Sequence, residues 1–497
     1  MSAEHAAFMP NVPMLLDRAD VLTDPAFPVA RDLAQLEAMV RRELDLVRYP
    51  IKAWVLPKIA PDGTRALDAV IVGGGQSGLA TAFGLKRERV DHILVLDENP
   101  AGQEGPWGTY GRMRTLRSEK FVGGMDLGIP SLSIRAWFEA QYGFKAWEAM
   151  SKLPKQLWHR YLAWYRAVLD LPVRNEARLT GFRPDANGLI ALEVATPGGV
   201  QTLWCRKLVF ATGIEGNGTR NLLPFIAALP RKLWAHSHDM VDFAALRGKR
   251  VGVLGGAASA FDNAASAAEA GAAEVHLFHR RLSLNPANPV AWGQFNGFLA
   301  HFADLPIAQR WRFTNHFHAF KPAPPSETYA RVINLPNLTR HAGVSWTGAS
   351  AQGETAVIEA TDGLHRFDFV IMGTGYILDV TLREEMRPHA DIIALWRDVY
   401  TPPPGEENQN LARAPYLGTH FEFQERQPGT APWLNSVFNF SRGAQLSMGT
   451  MAIGLSGIKF GVPRLVHGVC RQLFVEDADL YQDGMKIWQS SDAVTEE

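Results

Sequence analysis

Short apolar runs that end in glycines alternate with longer helical stretches along most of this chain. The run ALDAVIV, at residues 66–72, leads into GGGQSGLATAFGLKRE and then into a second apolar run, HILVLDEN. An apolar strand, a glycine loop that opens a helix and a second strand together indicate a βαβ unit. We therefore predict that a βαβ unit begins at about residue 67.

The same order of elements occurs a second time further along the chain. Residues 189–213 indicate two strands joined at Pro197-Gly198-Gly199 and a closing strand that ends in Ala211-Thr212-Gly213. A second glycine loop lies in RVGVLGGAASAFDNAASAAEAGAAEVHLFHRR, and residues 356–375 again form a predicted hairpin and a closing strand that ends in Gly373-Thr374-Gly375. This repetition predicts an α/β fold with two dinucleotide-binding, Rossmann-like domains.

Helical spacing marks the segments around these units. Leu33, Leu36, Met39 and Val40 recur as on one face of a helix, which predicts a helical N-terminal extension. The expected role of this extension is packing on the main body; a lid or an oligomer contact is the alternative. Residues 131–170 also have a helical pattern, and a helical insertion is predicted at about residues 282–330.

Composition restricts the kinds of partner to be expected. The chain has 497 residues, of which 46% are hydrophobic and 20% are charged, as in a globular protein of two or three domains. Its 50 basic and 51 acidic side chains give a net charge of -1, so no nucleic-acid partner is expected. The sequence suggests neither a signal peptide nor a membrane span, and we predict a cytoplasmic protein.

The two cysteines exclude a further class of chemistry. Cys205 and Cys470 lie far apart and form no CxxC pair. Neither a disulfide framework nor the redox-active dithiol of flavin disulfide reductases is therefore expected.

The first glycine motif is Gly73-x-Gly75-x-x-Gly78, with Gln76 and Ser77 inside it. Glycines at these places allow a tight turn, a close approach of a pyrophosphate and close packing of the helix on the sheet. Asp97 ends the next strand, 22 residues after Gly75, where an acid would accept from an adenosine ribose; Glu98 is the alternative. The motif predicts a dinucleotide site rather than an ordinary glycine turn.

The second motif, Gly255-x-Ala257-x-x-Ala260 with Ser259 inside it, has fewer glycines. Its second strand ends in Arg280 and Arg281, where guanidinium groups suit the 2′-phosphate of NADPH. A solvated charge pair is the alternative. Two sites with different adenosine preferences predict a flavin, FAD, that is reduced by NADPH.

These cofactors divide the chain into predicted domains. An N-terminal extension covers residues 1–66, and the first part of the FAD domain covers residues 67–215. The NADPH domain is inserted at residues 216–342, and residues 343–497 form the second part of the FAD domain with the C-terminal segment. The pair His236 and His238 lacks a third ligand at zinc-like spacing, so no metal site is predicted.

Several motifs together resemble the class B flavin-dependent monooxygenases, which include flavin-containing, Baeyer–Villiger and N-hydroxylating enzymes. The resemblance covers roughly residues 67–475. His236-Ser237 followed by DFAALRGKRVGVLGG looks like the linker signature of the family, and Thr374-Gly375-Tyr376 is similar to its late ATGY box. Trp107 stands where the family has a tryptophan close to the flavin, and Arg112-Met113-x-Thr115-x-Arg117-x-x-Lys120 is similar to a segment that contacts flavin and substrate in N-hydroxylases.

The resemblance implies the chemistry and the residues that carry it. NADPH would reduce FAD, and O₂ would add to form a flavin C4a-hydroperoxide, which would transfer one oxygen atom to a small molecule, at nitrogen or sulfur in the first instance. Candidate catalytic residues are His236 and Ser237 of the linker, and Lys120. The candidate cofactor-binding residues are Gly73, Gly75, Gln76, Ser77, Gly78, Asp97, Glu98, Trp107, Met113, Ala211, Thr212, Gly213, Gly255, Ala257, Ser259, Arg280, Arg281, Thr374, Gly375 and Tyr376.

Three alternatives to this function stay open at the level of the sequence. The first is Baeyer–Villiger oxidation of a ketone. The second is an NADPH:flavin oxidoreductase or NADPH oxidase that releases peroxide without oxygenating a substrate. The third is a non-catalytic FAD-bound scaffold. Whether the chain forms a homo-oligomer is also left open.

Overall fold

The computed structural model describes residues 30–452 and 454–488. The strands in chain order are β1 (Leu67–Val72), β2 (Ile93–Leu96), β3 (Val173–Arg174), β4 (Arg178–Pro184), β5 (Ile190–Thr196), β6 (Gly199–Phe210), β7 (Gly218–Arg220), β8 (Trp234–His236), β9 (Arg250–Leu254), β10 (Glu274–His279), β11 (Leu338–Ala342), β12 (Trp346–Gln352), β13 (Thr355–Ala360), β14 (Gly363–Phe367), β15 (Phe369–Met372), β16 (Tyr376–Leu378) and β17 (Val437–Asn439).

The helices in chain order are α1 (Leu33–Leu46), α2 (Gln76–Arg87), α3 (Ile134–Tyr142), α4 (Phe144–Ala149), α5 (Lys155–Val168), α6 (Pro224–Ala227), α7 (Ala258–Glu269), α8 (Pro289–Trp292), α9 (Asn296–His301), α10 (Ile307–Phe320), α11 (Ser326–Ile333), α12 (Trp396–Val399), α13 (Gln409–Ala412), α14 (Gln445–Met448), α15 (Leu455–Glu476) and α16 (Ala478–Lys486).

The first sheet has the order β3-β2-β1-β6-β5-β4, and β17 pairs with β6. Strands β3, β2, β1, β6 and β17 run parallel, whereas β5 and β4 form an antiparallel extension of the long strand β6. Helix α2 follows β1 directly and packs against α15. The predicted βαβ unit and α/β fold are therefore confirmed.

The second sheet is fully parallel and has the order β11-β10-β9-β15-β8. Strand β9, helix α7 and strand β10 form its βαβ unit, and the small antiparallel sheet β12-β13-β14 precedes β15. Helices α8 to α11 make up the segment between β10 and β11, where the helical insertion was predicted. Two Rossmann-like sheets are present, as the repeated sequence order indicates.

The domain boundary predicted at residue 342 is wrong. Strand β15 pairs with β8 and β9, so the second sheet continues to Met372. The physical reason is that each closing strand completes its own sheet: β6 lies beside β1, and β15 lies beside β9 in the same way. The chain crosses between the two sheets through β7 and β16, which pair with each other as a two-stranded ribbon.

The N-terminal helix packs on the main body, as predicted. Leu36 and Val40 of α1 are buried in the core that surrounds the first sheet, and Leu33 and Met39 pack against its edge. Residues 1–29 of the predicted extension lie outside the described part of the chain. Within residues 30–452 and 454–488, no helix is long and apolar enough to cross a membrane.

Candidate active site

A cavity of about 600 Å³ lies between the two sheets, at the carboxyl ends of their strands. In an open α/β sheet this edge is where nucleotides bind. The cavity brings together many of the predicted cofactor residues from both halves of the chain: Gly73, Gly75, Gln76, Ser77, Asp97, Glu98, Trp107, Met113, Ala211, Thr212, Gly213, Ser259 and Tyr376. It is also lined by Ser237 of the predicted linker.

The first glycine loop needs its three glycines for different reasons. Gly73 has φ +110°, and a Cβ there would lie 2.5 Å from the carbonyl oxygen of Ala211. A Cβ on Gly78 would lie 1.8 Å from the carbonyl oxygen of Gly73. At Gly75, by contrast, a Cβ would meet only the Cα of Gly105, at 3.8 Å. The protein's own packing therefore does not require glycine at position 75, which lies at the N-terminus of α2, where a pyrophosphate would bind.

Asp97, which directly follows β2, holds this loop in place through hydrogen bonds. Its Oδ2 accepts from the Gly74 backbone N–H at 2.7 Å, and its Oδ1 accepts from the Asn99 backbone N–H at 2.9 Å. Burial raises the pKa of the Asp97 carboxyl, and these two N–H donors oppose the rise. Glu98 is exposed and lies 3.8 Å from Arg178, and both acids line the cavity.

Three buried polar atoms on the wall of the cavity have no hydrogen-bond partner in the described chain. They are Oε1 of Gln76, Nε1 of Trp107 and Oδ1 of Asn263. Buried polar groups are nearly always paired in a folded protein, so unpaired ones around a cavity indicate a polar ligand. Together with the glycine loop at the N-terminus of α2, they show that the residues present fit a bound flavin dinucleotide.

The predicted linker is buried between the two domains. His236 is fully buried, and its Nε2 donates to the Gly375 carbonyl at 3.1 Å, while its Nδ1 accepts from the His238 backbone N–H at 3.2 Å. The Ser237 backbone N–H donates to Met372 O at 2.9 Å. These bonds tie the start of the linker to the closing strand β15 and the residues that follow it.

His238, rather than His236, is the linker histidine that lines the cavity. Its ring stacks on Tyr110 with centroids 3.7 Å apart, and its Nδ1 is 2.8 Å from the Tyr376 hydroxyl. Burial lowers the pKa of His238 to about 3 and that of His236 to about 4. Both rings are therefore neutral at physiological pH.

Asp239 forms ion pairs and hydrogen bonds with several groups around this linker. Its carboxylate forms ion pairs with Arg220 and Arg231 and accepts from the His236 backbone N–H at 2.7 Å. Its backbone carbonyl accepts from Arg112 at 3.1 Å, and Arg112 belongs to the first domain. One residue thus connects β7, the linker and the loop that carries Met113.

The second glycine loop has the backbone shape of a nucleotide loop. Gly255 has φ +148°, and a Cβ there would lie 2.4 Å from the carbonyl oxygen of Gly373. Ala257 precedes α7 and is exposed. Arg281 donates to the Gly256 carbonyl at 2.9 Å, whereas Arg280 is exposed and forms no ion pair or side-chain hydrogen bond within the described chain.

Some predicted site residues lie away from the cavity. The Lys120 ammonium donates to the carbonyls of Trp147 and Glu148 at 2.7 and 3.2 Å and does not line the cavity, which gives no support to a catalytic role. Thr374 and Gly375 contact the ribbon and the linker instead of the cavity. No group of three or more metal-ligating side chains suited to a metal ion occurs in residues 30–452 and 454–488.

The sequence reasoning missed several residues that line the cavity. Tyr110 and Asn263 were not singled out, and Asp262 pairs with Arg117 at 3.4 Å across the domain interface. The signal that could have found Asp262 and Asn263 is their place on the helix after the second glycine loop, one turn beyond its last small residue. Tyr110 has no comparable signal, because its partner His238 comes from a distant segment.

The neighbourhood of the two cysteines excludes a dithiol. Cys205 is buried in β6, Cys470 is partly buried in α15, and both are free. Burial raises the pKa of both thiols, to about 12 for Cys470. Neither is therefore a thiolate at physiological pH.

Comparisons with known proteins agree with this site. A model of the pyridine nucleotide-disulphide oxidoreductase family matches residues 70–292. An FAD-dependent urate hydroxylase from Xanthomonas campestris pv. campestris is 42% identical over 447 residues, which cover 90% of this chain and 94% of that protein. The chain belongs to the class B flavin-dependent monooxygenases. It is an FAD-dependent oxidoreductase that uses NADPH to oxygenate a small molecule.

Solved structures of N-hydroxylating enzymes share the fold. The ornithine hydroxylase of Pseudomonas aeruginosa, in its reduced form, has a TM-score of 0.64 at 16% identity and covers 82% of this chain and 100% of its own. The L-lysine 6-monooxygenase of Pseudomonas syringae has a TM-score of 0.59 at 20% identity, with 81% and 99% covered. At 16% and 20% sequence identity, these two similarities show a shared fold and nothing further.

Proposed function

We propose that this monooxygenase hydroxylates urate or a closely related oxidised purine. The observation that carries the proposal is the 42% identity to the urate hydroxylase, which extends over 90% of this chain and 94% of the relative. Identity over nearly the whole of both chains includes both glycine motifs and the helical insertion that follows the second one. The relative is named as a hydroxylase, which supports hydroxylation over Baeyer–Villiger insertion.

The proposed reaction consumes one NADPH, one proton and one O₂ for each substrate. One oxygen atom enters the substrate, the other leaves as water, and NADP⁺ is released. Bound FAD supplies the chemistry by taking the hydride from NADPH and activating O₂. The contribution of the chain is then to bind and orient the cofactors and to keep water out.

The geometry supports individual roles for the predicted residues. In our proposal Gly73, Gly75 and Gly78 with the N-terminus of α2 hold the FAD pyrophosphate, and Asp97 or Glu98 holds its ribose. Trp107 Nε1, which lacks a protein partner on the wall of the cavity, would donate to the cofactor.

The NADPH side of the cleft is assigned in the same way. Gly255, Ala257 and Ser259 precede or begin α7, where they would hold the NADPH pyrophosphate. Arg280 and Arg281 would bind its 2′-phosphate. His236 and Ser237 would keep the two halves of the cleft closed through their bonds to Gly375 and Met372.

A substrate panel with purified, FAD-loaded protein tests this proposal. NADPH consumption, O₂ uptake, hydrogen peroxide and product mass would be measured with urate, xanthine, ornithine, a thioether and a cyclic ketone. We expect urate to accelerate NADPH consumption and to give a product one oxygen atom heavier. Peroxide equal to the NADPH consumed with every compound would instead identify an NADPH oxidase, and a lactone from the ketone would identify a Baeyer–Villiger enzyme.

We also propose that the chain works in the cytoplasm, where NADPH is available. Localisation of the tagged chain by fractionation tests this directly. Recovery with the cytosolic fraction is expected, and recovery with a periplasmic marker would contradict it. The mass of the purified protein in solution would at the same time settle whether it forms a homo-oligomer.

A further inference from the structure

A second cavity, of about 370 Å³, lies beside the nucleotide cavity on the domain interface. Its walls come from residues 113–117 and Lys152 of the first domain, and from α7, α11 and the residues that flank α11 in the second. A cavity of this size is within the range that holds small ligands. None of the roles assigned above uses it.

The two cavities share one wall. Met113, Leu116, Arg117 and Asp262 line both of them, so a single layer of side chains separates the second cavity from the nucleotide cavity. The Arg117 side chain is 45% exposed and lies 3.4 Å from Asp262, which is 3% exposed. An exposed arginine in such a pair is held weakly and can swing aside, whereas Asp262 is also anchored by Thr328 at 3.2 Å.

Much of the remaining lining of the second cavity is charged, and most of these charged side chains pair with one another. Glu269 accepts from Arg114 at 2.7 Å and from Arg331 at 2.6 Å, and Glu327 accepts from the Thr115 hydroxyl at 2.8 Å. The cationic lining residues number four and the carboxylates three, which leaves an excess of one positive charge.

Lys152 is the lining cation that the described chain does not pair. It is partly buried and makes no ion pair and no side-chain hydrogen bond with residues 30–452 or 454–488. An ammonium held at the wall of a small cavity without a partner favours an anionic ligand. The neighbouring Lys155, in contrast, is bonded to the Gly111 carbonyl.

We propose that the second cavity is the substrate site, that it takes a small planar anion of the urate type, and that Lys152 anchors it. Under the proposed function FAD takes the first cavity, so the oxygen acceptor needs space beside it on the flavin side of the cleft. The second cavity adjoins the first at Met113, Leu116, Arg117 and Asp262, and an acceptor held there reaches the flavin side where the weakly held Arg117 side chain moves aside. This inference rests on the proposed function for the identity of the anion.

Two variants test the site in different ways. Lys152→Met removes the charge and keeps the length of the side chain, and Ala330→Trp fills the cavity from α11 without changing its charge. We expect each to raise KM for urate, by roughly ten- to a hundredfold for Lys152→Met as for a lost charge-assisted contact. KM for NADPH and the FAD content should stay within about twofold of the wild-type values, as expected for residues away from both nucleotides.

Matched controls come from the same parts of the fold. Lys145→Met changes an exposed lysine of α4, and Ala319→Trp enlarges an exposed alanine of α10; neither residue lines a cavity described here. Both controls should keep the wild-type KM for urate. Equal KM values for urate in Lys152→Met, Ala330→Trp and the controls would overturn the assignment of the site while leaving the proposed function intact.

A binding measurement separates the site from the reaction. Titration of urate into the FAD-loaded protein with NADP⁺ present would be followed by calorimetry, for the wild type and for Lys152→Met. Binding by the wild type that is lost in the variant supports the site even if urate is not turned over, in which case the proposed function alone fails. Absence of urate binding by the wild type would overturn the inference.

Discussion

At the scale of single residues, the two nucleotide sites differ in what the protein itself requires. Gly73 and Gly78 are required by the backbone, because side chains there would collide with Ala211 and Gly73. Gly75 and Arg280 are under no such constraint: a Cβ on Gly75 would meet the protein only at an ordinary contact distance, and Arg280 is exposed to solvent. Substitutions at these two positions therefore report on the ligand more than on the fold.

Gly75→Val should give folded protein that lacks FAD. The new side chain enters the space in which the pyrophosphate would lie, while its Cβ meets the protein only at ordinary van der Waals distance. The measurement is the flavin absorbance per chain, together with circular dichroism of the apoprotein. Gly198→Val, in the exposed hairpin between β5 and β6, is the control and should stay yellow. A Gly75→Val protein that carries a full complement of FAD would contradict the assignment of the FAD site.

Arg280→Ala should raise KM for NADPH far more than KM for NADH. One lost charge-assisted contact with the 2′-phosphate is worth about 1.5–3 kcal/mol, or roughly ten- to a hundredfold. Arg280 is a better position for this test than Arg281, because Arg281 also supports the glycine loop by donating to the Gly256 carbonyl. Arg41→Ala on α1 is the control. Equal changes for both nucleotides would identify Arg280 as a surface charge.

At the scale of elements, the linker after β8 connects the two halves of the cleft. His236 bonds to Gly375, His238 bonds to Tyr376, and both partners lie at the start of the returning strand β16. The outgoing and returning chain segments are thus held side by side. The sequence predicted a role for this linker from its resemblance to the family, but its contacts are visible only in the fold.

His236→Ala should raise the fraction of NADPH that ends as hydrogen peroxide while leaving FAD content near normal. The substitution removes the bond to Gly375 and loosens the closure of the cleft, which admits water. FAD content, NADPH consumption and peroxide would be measured with substrate present. His236→Gln, which retains a donor, should recover part of the coupling. If rate and peroxide are unchanged in His236→Ala, the histidine has a structural role alone.

The parts of the fold that could be predicted from the sequence are those fixed by local constraints. Both glycine loops were found because positive φ and close backbone contacts at Gly73 and Gly255 leave glycine as the suitable residue. Strand β15 was given to the wrong sheet, because its partners β8 and β9 are distant in sequence. Lys120 was a candidate through the resemblance of its segment to the N-hydroxylases, and such a resemblance does not encode the direction in which a long side chain points.

At the scale of the whole molecule, contacts between the domains hold together the two halves of the cleft that carry the proposed nucleotide sites. Arg114 pairs with Glu269, and Arg331 donates both to Glu269 and to the Arg112 carbonyl at 3.1 Å. The ribbon of β7 and β16 adds a backbone connection at the other end of the cleft. The buried linker histidines bond to Gly375 and Tyr376, where the strand β16 of this ribbon begins, so their protonation bears on the stability of the assembled cleft.

The stability of the protein should fall as the pH is lowered from 7 to 5. Burial lowers the pKa of His236 to about 4 and of His238 to about 3, from an ordinary value near 6.5, with Arg220 lowering both further and Asp239 opposing. Below about pH 6.5 these two histidines bind protons in the unfolded chain but stay neutral in the folded chain. The free energy of unfolding that is present above pH 6.5 is therefore lost progressively as the pH falls toward 4. The slope approaches about 1.4 kcal/mol per pH unit for each histidine.

The variant His236→Gln/His238→Gln isolates this contribution from that of the buried carboxyls. Asp97 and Asp262 have raised pKa values, so they take up protons in the folded state and oppose the trend in the wild type and the variant alike. The free energy of unfolding of the FAD-loaded protein would be measured in urea at pH 7, 6 and 5 for both. Because the variant has no histidine to protonate at these positions, its stability should depend less on pH than that of the wild type. Parallel pH profiles would contradict the prediction and would mean that both rings accept protons without opening the cleft.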